Sequence, residues 1–159
     1  MNQPVDPWGA AGDGERTVVL SLPAQPELWS LARMTASGIA SRLDFDVEEI
    51  EDLRLAIDEL CGSCALGNDK SGRIELNYRW DDRSIEVVCR VEPMHGESDA
   101  VAVHPVEPLG VPGSPGGELS VDELSARLLD ALVDAHGIEP FDGLRRRGWL
   151  RKTRARIDG

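Results

Sequence analysis

Three cysteines, Cys61, Cys64 and Cys89, are too few for a fully paired disulfide framework. Cys61 and Cys64 spell C-x-x-C, but a redox pair of that kind sits at a helix N-terminus, where the dipole lowers the thiol pKa. Here it falls near the end of a helix, with Cys64 on the apolar stripe. A zinc site needs a further ligand, and no second C-x-x-C or close-spaced histidine pair is present. The cysteines therefore read as core residues. No apolar run approaches a membrane span. The Pro- and Gly-bearing start, MNQPVDPWGAAGDGE, lacks the pattern of a signal peptide, so a cytoplasmic location is expected. Positive charge is scarce, with 17 Lys and Arg against 29 Asp and Glu, a net charge of −12. The first 143 residues hold 10 basic and 28 acidic side chains, and residues 144–159 hold 7 and 1. An acidic body disfavours nucleic acid, whose phosphates supply most of the affinity in such complexes. No nucleophile–base pair, phosphate loop or paired metal ligand stands out, so the sequence gives independent catalysis no positive support.

The strongest local signal is DVEEIEDLRLAIDELCGSCAL, Asp46 to Leu66. Ile50, Leu53, Ile57, Leu60 and Cys64 recur at spacings of three and four, which predicts one amphipathic helix. Asp46 is placed to cap its first amides, and Glu48, Glu49 and Glu51 complement the positive end of the dipole. Asp58 and Glu59 lie off the apolar stripe and read as a solvated face; a pocket role for Glu59 is the alternative.

Around this helix the chain reads as a single domain over 16–159, preceded by a mobile leader, 1–15, in which Trp8 is out of place. Thr17–Leu22 alternates as a strand that Pro23 ends. Pro26 opens a helix running to about Leu43, with Leu28, Leu31, Met34 or Thr35, and Ile39 at helical spacing. Ile74, Leu76, Tyr78 and Trp80, then Ile85, Val87, Cys89 and Val91, alternate in two strands joined by Asp81-Asp82-Arg83, an antiparallel hairpin with one buried face. Residues 92–118 carry five prolines and five glycines and read as a long functional or binding loop. Ser120 with Glu123 forms a capping box for a third helix expected to run to His136. Leu124, Leu128, Leu132 and Ala135 are its expected apolar stripe, and Gly137 its stop. Gly148–Ile157 reads as a closing edge strand with Trp149, Thr153, Ala155 and Ile157 inward and Lys152, Arg154 and Arg156 outward. Arg145–Arg147 are an alternative docking point for an acidic partner. His95 and His104 read as exposed loop residues. The fold class is α/β, a two-layer sandwich of a mainly antiparallel sheet covered by helices on one face.

DLRLAIDELCGSC, following LDFDVEEIE, resembles the N-box helix of the GHKL ATPase superfamily. More narrowly, the chain resembles bacterial anti-sigma factors that double as serine-protein kinases, in their actinobacterial branch. The resemblance covers residues 16–92 well and 119–157 faintly. It implies that Glu59 matches the glutamate that polarises the attacking nucleophile and that Ser63 stands where a magnesium-binding asparagine belongs. Glu92 and Gly96 occupy the adenine-reading turn, in which Met94 replaces a glycine that lets the backbone approach closely. Gly116 and Gly117 match the phosphate-cradling lid, with Glu118 adding negative charge beside them. All three motifs depart from the family pattern. No lysine or arginine lies between Arg90 and Arg127 to balance a triphosphate. ATP with magnesium is the cofactor the resemblance implies, and these departures argue against it.

The leading expectation is an anti-sigma factor that sequesters an alternative RNA polymerase sigma factor, a STAS-type anti-anti-sigma protein or other signal releasing it. The resemblance further implies a homodimer whose first helix meets the sigma factor, which nominates Glu27, Arg33 and Arg42. The runner-up is an ATP-dependent serine kinase acting on the anti-anti-sigma partner, with Glu59 as base. A third reading makes the altered pocket a sensor of another small molecule.

Overall fold

The structure is a computed structural model that describes residues 16–65, 72–92, 120–140 and 146–155. The leader 1–15 with Trp8, the turn after Leu66, the loop histidines, Gly96, Gly116, Gly117 and Ile157 all lie outside the described residues.

Strand β1 (Arg16–Pro23) leads through a short 3-10 turn, Pro26–Leu28, into α1 (Trp29–Arg42) and then α2 (Val47–Ala65). The hairpin β2 (Arg73–Trp80) and β3 (Ser84–Glu92) follows, then α3 (Val121–Leu132), β4 (Ala135–Pro140) and β5 (Arg146–Thr153). The five strands form one sheet in the order β1-β2-β3-β5-β4, with every neighbouring pair antiparallel. All three helices pack on one face of it. This is the two-layer α/β sandwich that the alternation and helical stripes require.

Local chemistry sets the element ends. At α2, Asp46 Oδ1 accepts from the Glu49 amide and Glu49 Oε2 from the Asp46 amide, both at 2.8 Å, a reciprocal capping box. Ser120 and Glu123 do the same for α3. In the β2–β3 turn, Asp81 accepts from the amides of Arg83 and Ser84 and from the Ser84 hydroxyl. Burial pushes the Asp81 carboxyl up, but those bonds and the nearby Arg151 charge outweigh it and hold it below its ordinary value. Asp44, with φ of 58°, takes the left-handed conformation that ends α1.

The core lies between α1, α2 and the sheet. Leu53, Ala56, Ile57, Leu60 and Cys64 of α2 meet Ile74, Leu76, Tyr78, Val87 and Cys89 of the hairpin, all fully buried. The Tyr78 hydroxyl donates to the Ala32 carbonyl at 2.9 Å and ties the sheet to α1. Cys61, Cys64 and Cys89 are buried free thiols, as the sequence reading had them. Contacts among the three thiols and burial push Cys89 well above its ordinary pKa, which leaves it a neutral, unreactive thiol.

Three expectations about the C-terminal third need correction. The third helix stops at Leu132, not His136: His136 and Gly137 belong to β4, a strand with no alternating apolar signature. Within α3, Leu124 and Leu128 are exposed, whereas Ser125, Leu129 and Leu132 face the core. The last strand is interior, between β3 and β4, and its facing is the reverse of that expected: Gly148, Leu150 and Lys152 are buried against the helices, and Trp149 lies on the other face opposite Val88. Hydrophobicity misled here because glycine and a paired lysine occupy the inner positions. A Cβ on Gly148 would come within 2.7 Å of Leu60 Cδ1 and 3.2 Å of Cys64 Sγ, so only glycine lets α2 approach. Trp149 takes its space over Gly137, where a Cβ would meet Nε1 at 2.6 Å.

Candidate functional site

The outward turns of α2 carry the residues that the sequence singled out. Successive residues on a helix turn by about 100°, which aims Asp58 toward α1 and Asp52, Glu59 and Ser63 toward α3. Neither member of the Asp58–Glu59 pair is a simple solvated group. Asp58 accepts from Arg33 Nη1 of α1, with both side chains half-buried. Glu59 Oε1 accepts from the Ser125 hydroxyl of α3. One turn on, Ser63 is 3% exposed. It lines a pocket of about 330 Å³ together with Ser125 and Ala126 of α3, His136 and Ile138 of β4, and Arg146 of β5. Glu59 thus meets, through Ser125, the pocket that Ser63 lines, whose walls also carry a guanidinium and an imidazole.

Helix α3 is clamped over this site at both ends. Near its N-terminus, Asp122 takes a two-pronged bond from Arg146, at 2.7 and 3.2 Å. The Arg146 hydrogen bond and charge hold the Asp122 carboxyl below its usual range, and the same bond raises the guanidinium. At the C-terminus, Lys152 Nζ donates to the Leu132 carbonyl at 2.7 Å and to Asp52 Oδ2 at 3.1 Å. One buried ammonium therefore joins α2, α3 and β5 and satisfies a terminal helix carbonyl. His136 Nε2 lies 2.8 Å from Asp130 Oδ1, a strand-to-helix contact rather than the helix-end role that its sequence position suggested.

The other nominated residues lie elsewhere. Alternation along β3 puts Glu92, in register with Arg73, on the face of the sheet turned away from α2. Glu27 and Arg42 are exposed at the two ends of the first helical segment, and Arg33 is held by Asp58. Sequence reasoning missed Ser125, Asp122, Lys152 and Asp52. The one local signal was Ser125 itself, a polar residue one turn after Val121 and one turn before Leu129 in a leucine-rich helix.

Chemically, Glu59 already holds a hydroxyl in the geometry a general base uses, carboxylate oxygen against hydroxyl oxygen. Ser63 could give a magnesium ion one neutral oxygen, a weaker ligand than a carboxylate. Among the described residues, no group of three or more His, Cys, Asp or Glu side chains is placed to hold a metal ion.

No family model matches the chain. The serine-protein kinase RsbW of Bacillus subtilis is 29% identical over 132 residues, 80% of each chain. The chain is similar to the RsbW kinases. RsbW of Bacillus licheniformis is 27% identical over 135 residues, again 80% of each chain. RsbW of Listeria innocua is 40% identical over 73 residues, 44% of this chain and 46% of that one. The similarity to RsbW spans far more than the N-box helix that first suggested a kinase-like chain. Among the described residues, no helix is long and apolar enough to cross a membrane.

Proposed function

We propose that this protein is an anti-sigma factor: it binds an alternative RNA polymerase sigma factor and keeps it from the polymerase until an anti-anti-sigma partner displaces it. The observation that carries the reading is the similarity to RsbW kinases over 80% of the chain. Ser63 supplies a hydroxyl where the resembled family has a carboxamide, and Glu59 is engaged by the protein's own Ser125. A protein that kept the family's fold but lost its nucleotide ligands would retain binding and give up catalysis. The exposed ends of the first helical segment, with Glu27 and Arg42, are the surface we assign to the sigma factor, and Arg33 orients α1 against α2 through Asp58. Residues 16–159 act as one domain in this reading, working as a homodimer in the cytoplasm and touching no nucleic acid directly.

Purification from the native host, with mass identification of what co-elutes, tests the proposal. A stoichiometric sigma factor is expected, and its binding should weaken at least tenfold when Glu27 and Arg42 are both reversed in charge. Recovery of a STAS-type protein alone would remove the sigma assignment.

The name of the relatives favours a second reading, an ATP-dependent serine kinase acting on the anti-anti-sigma partner, with Glu59 as base and Gly116 and Gly117 at the phosphates; Glu92, which faces away from α2, could read the adenine with Gly96 only from the strand end. Any ligand of the native state raises stability, by about 2.7 kcal/mol at a hundredfold excess over Kd. A kinase should therefore melt several degrees higher in millimolar ATP and magnesium. An unchanged melting temperature would eliminate this reading.

A further inference from the structure

We propose that α3 is an autoinhibitory latch, in which the Ser125 hydroxyl occupies Glu59 in place of the hydroxyl of an incoming serine. The inference rests on the kinase-like reading of Glu59, and it concerns how that site is held closed.

Two independent observations carry it. The first is the bond itself. Ser125 is 6% exposed and donates to the Glu59 carboxylate from a neighbouring helix, so the base is presented with an internal hydroxyl. A serine substrate would bring the same functional group to the same oxygen, and the two cannot be accommodated together. The second is the way α3 is turned. Val121, Leu124 and Leu128 form one stripe and are 66%, 60% and 43% exposed, while a serine sits on the inner face. An isolated amphipathic helix would bury that stripe. Rotation of α3 by about 60° would turn the Leu128 side of the helix toward α2, because Ser125 and Leu128, three residues apart, differ by about 60° around the axis and about 4.5 Å along it. The latched state therefore leaves apolar surface in water, and three polar ties hold α3 alongside the buried Leu129 and Leu132: Ser125 to Glu59, Asp122 to Arg146, and Lys152 to the Leu132 carbonyl. Such a helix has a second packing available, with its leucines inward and Glu59 free.

The test compares the full chain with Ser125→Ala and Ser125→Thr. Amide hydrogen exchange is followed over α3, and the affinity for ATP with magnesium is measured by calorimetry. Losing a hydrogen bond to a carboxylate should raise exchange across α3 about tenfold and leave β2 and β3 unchanged. If the kinase-like reading also holds, ATP should bind Ser125→Ala several-fold more tightly than wild type. The threonine variant keeps a hydroxyl and should restore both values. Unchanged exchange in Ser125→Ala would overturn the latch. Weaker nucleotide binding in that variant would also overturn it, because Ser125 would then belong to the binding site. Faster exchange with no nucleotide binding in any variant would overturn the autoinhibitory role together with the kinase reading and leave Ser125 as a structural contact.

Discussion

Gly148 and Tyr78 show how single atoms set the distances between layers. Alanine at 148 would drive a methyl group into Leu60 and Cys64, and overpacking of that kind costs about 1–3 kcal/mol. Gly148→Ala should lower the free energy of unfolding by that amount, read as a lower denaturant midpoint with an unchanged slope. Tyr78→Phe removes the hydroxyl that donates to Ala32, and a neutral hydrogen bond contributes about 1 kcal/mol. Burial and the nearby Cys61 and Cys89 thiols raise the Tyr78 hydroxyl far above its ordinary pKa, so the bond should survive to strongly alkaline pH. Absorbance titration should show no tyrosinate while the protein is folded; an ordinary tyrosine transition would mean that the ring is not seated as described. Asp44 completes the end of α1 with left-handed backbone that costs an ordinary residue about 1–2 kcal/mol.

At the scale of elements, α3 is the piece whose position depends most on charge. Lys152 joins Asp52 and the Leu132 carbonyl, and Lys152→Met would leave both without their donor. Stranding a buried acceptor costs about 1–3 kcal/mol, and hydrogen exchange should locate the loss in the last turn of α3. The other end of α3 depends on pH. The folded Asp122 carboxyl titrates below its unfolded value of about 4, so the Arg146 bond contributes stability above that value. The contribution is lost as pH falls through the folded value. Protection of the first α3 amides should therefore drop on acidification below about pH 4 in wild type, relative to Asp122→Asn, which should show no such step. A parallel decline in both proteins would show that the pair does not hold the helix.

For the whole molecule, the edges and open face of the sheet govern association. Strand β1 is an edge of eight residues, with Val18 and Val19 39% and 57% exposed and no charged side chain after Arg16. A sheet edge of this kind pairs readily with other strands, and charged residues suppress that tendency. Val19→Lys should reduce self-association in sedimentation velocity at little cost in melting temperature. On the same open face, Arg79 and Glu86 lie 3.8 Å apart and are nearly buried, so the charges there are organised as cross-strand pairs rather than as a free patch.

The amino-acid sequence alone determined whatever depends on neighbours within about four residues. The stripe of α2, the capping boxes at Asp46 and Ser120, the β2–β3 hairpin and the burial of the cysteines all follow from local spacing and hydrophobicity. The N-box resemblance, carried by the same stretch, pointed to the kind of protein that the RsbW similarity then supported. Tertiary structure decided the rest. AHGIEP has no strand pattern of its own, and it becomes β4 because β5 offers it a hydrogen-bonding edge. The facing of β5 was set by where α2 needed a glycine and where a buried lysine found two acceptors. What Glu59 touches was decided likewise, because Ser125 lies 66 residues away and reaches it only when α3 packs on α2. Pairings between distant residues leave no periodicity in a single sequence, and this site is built almost entirely from them.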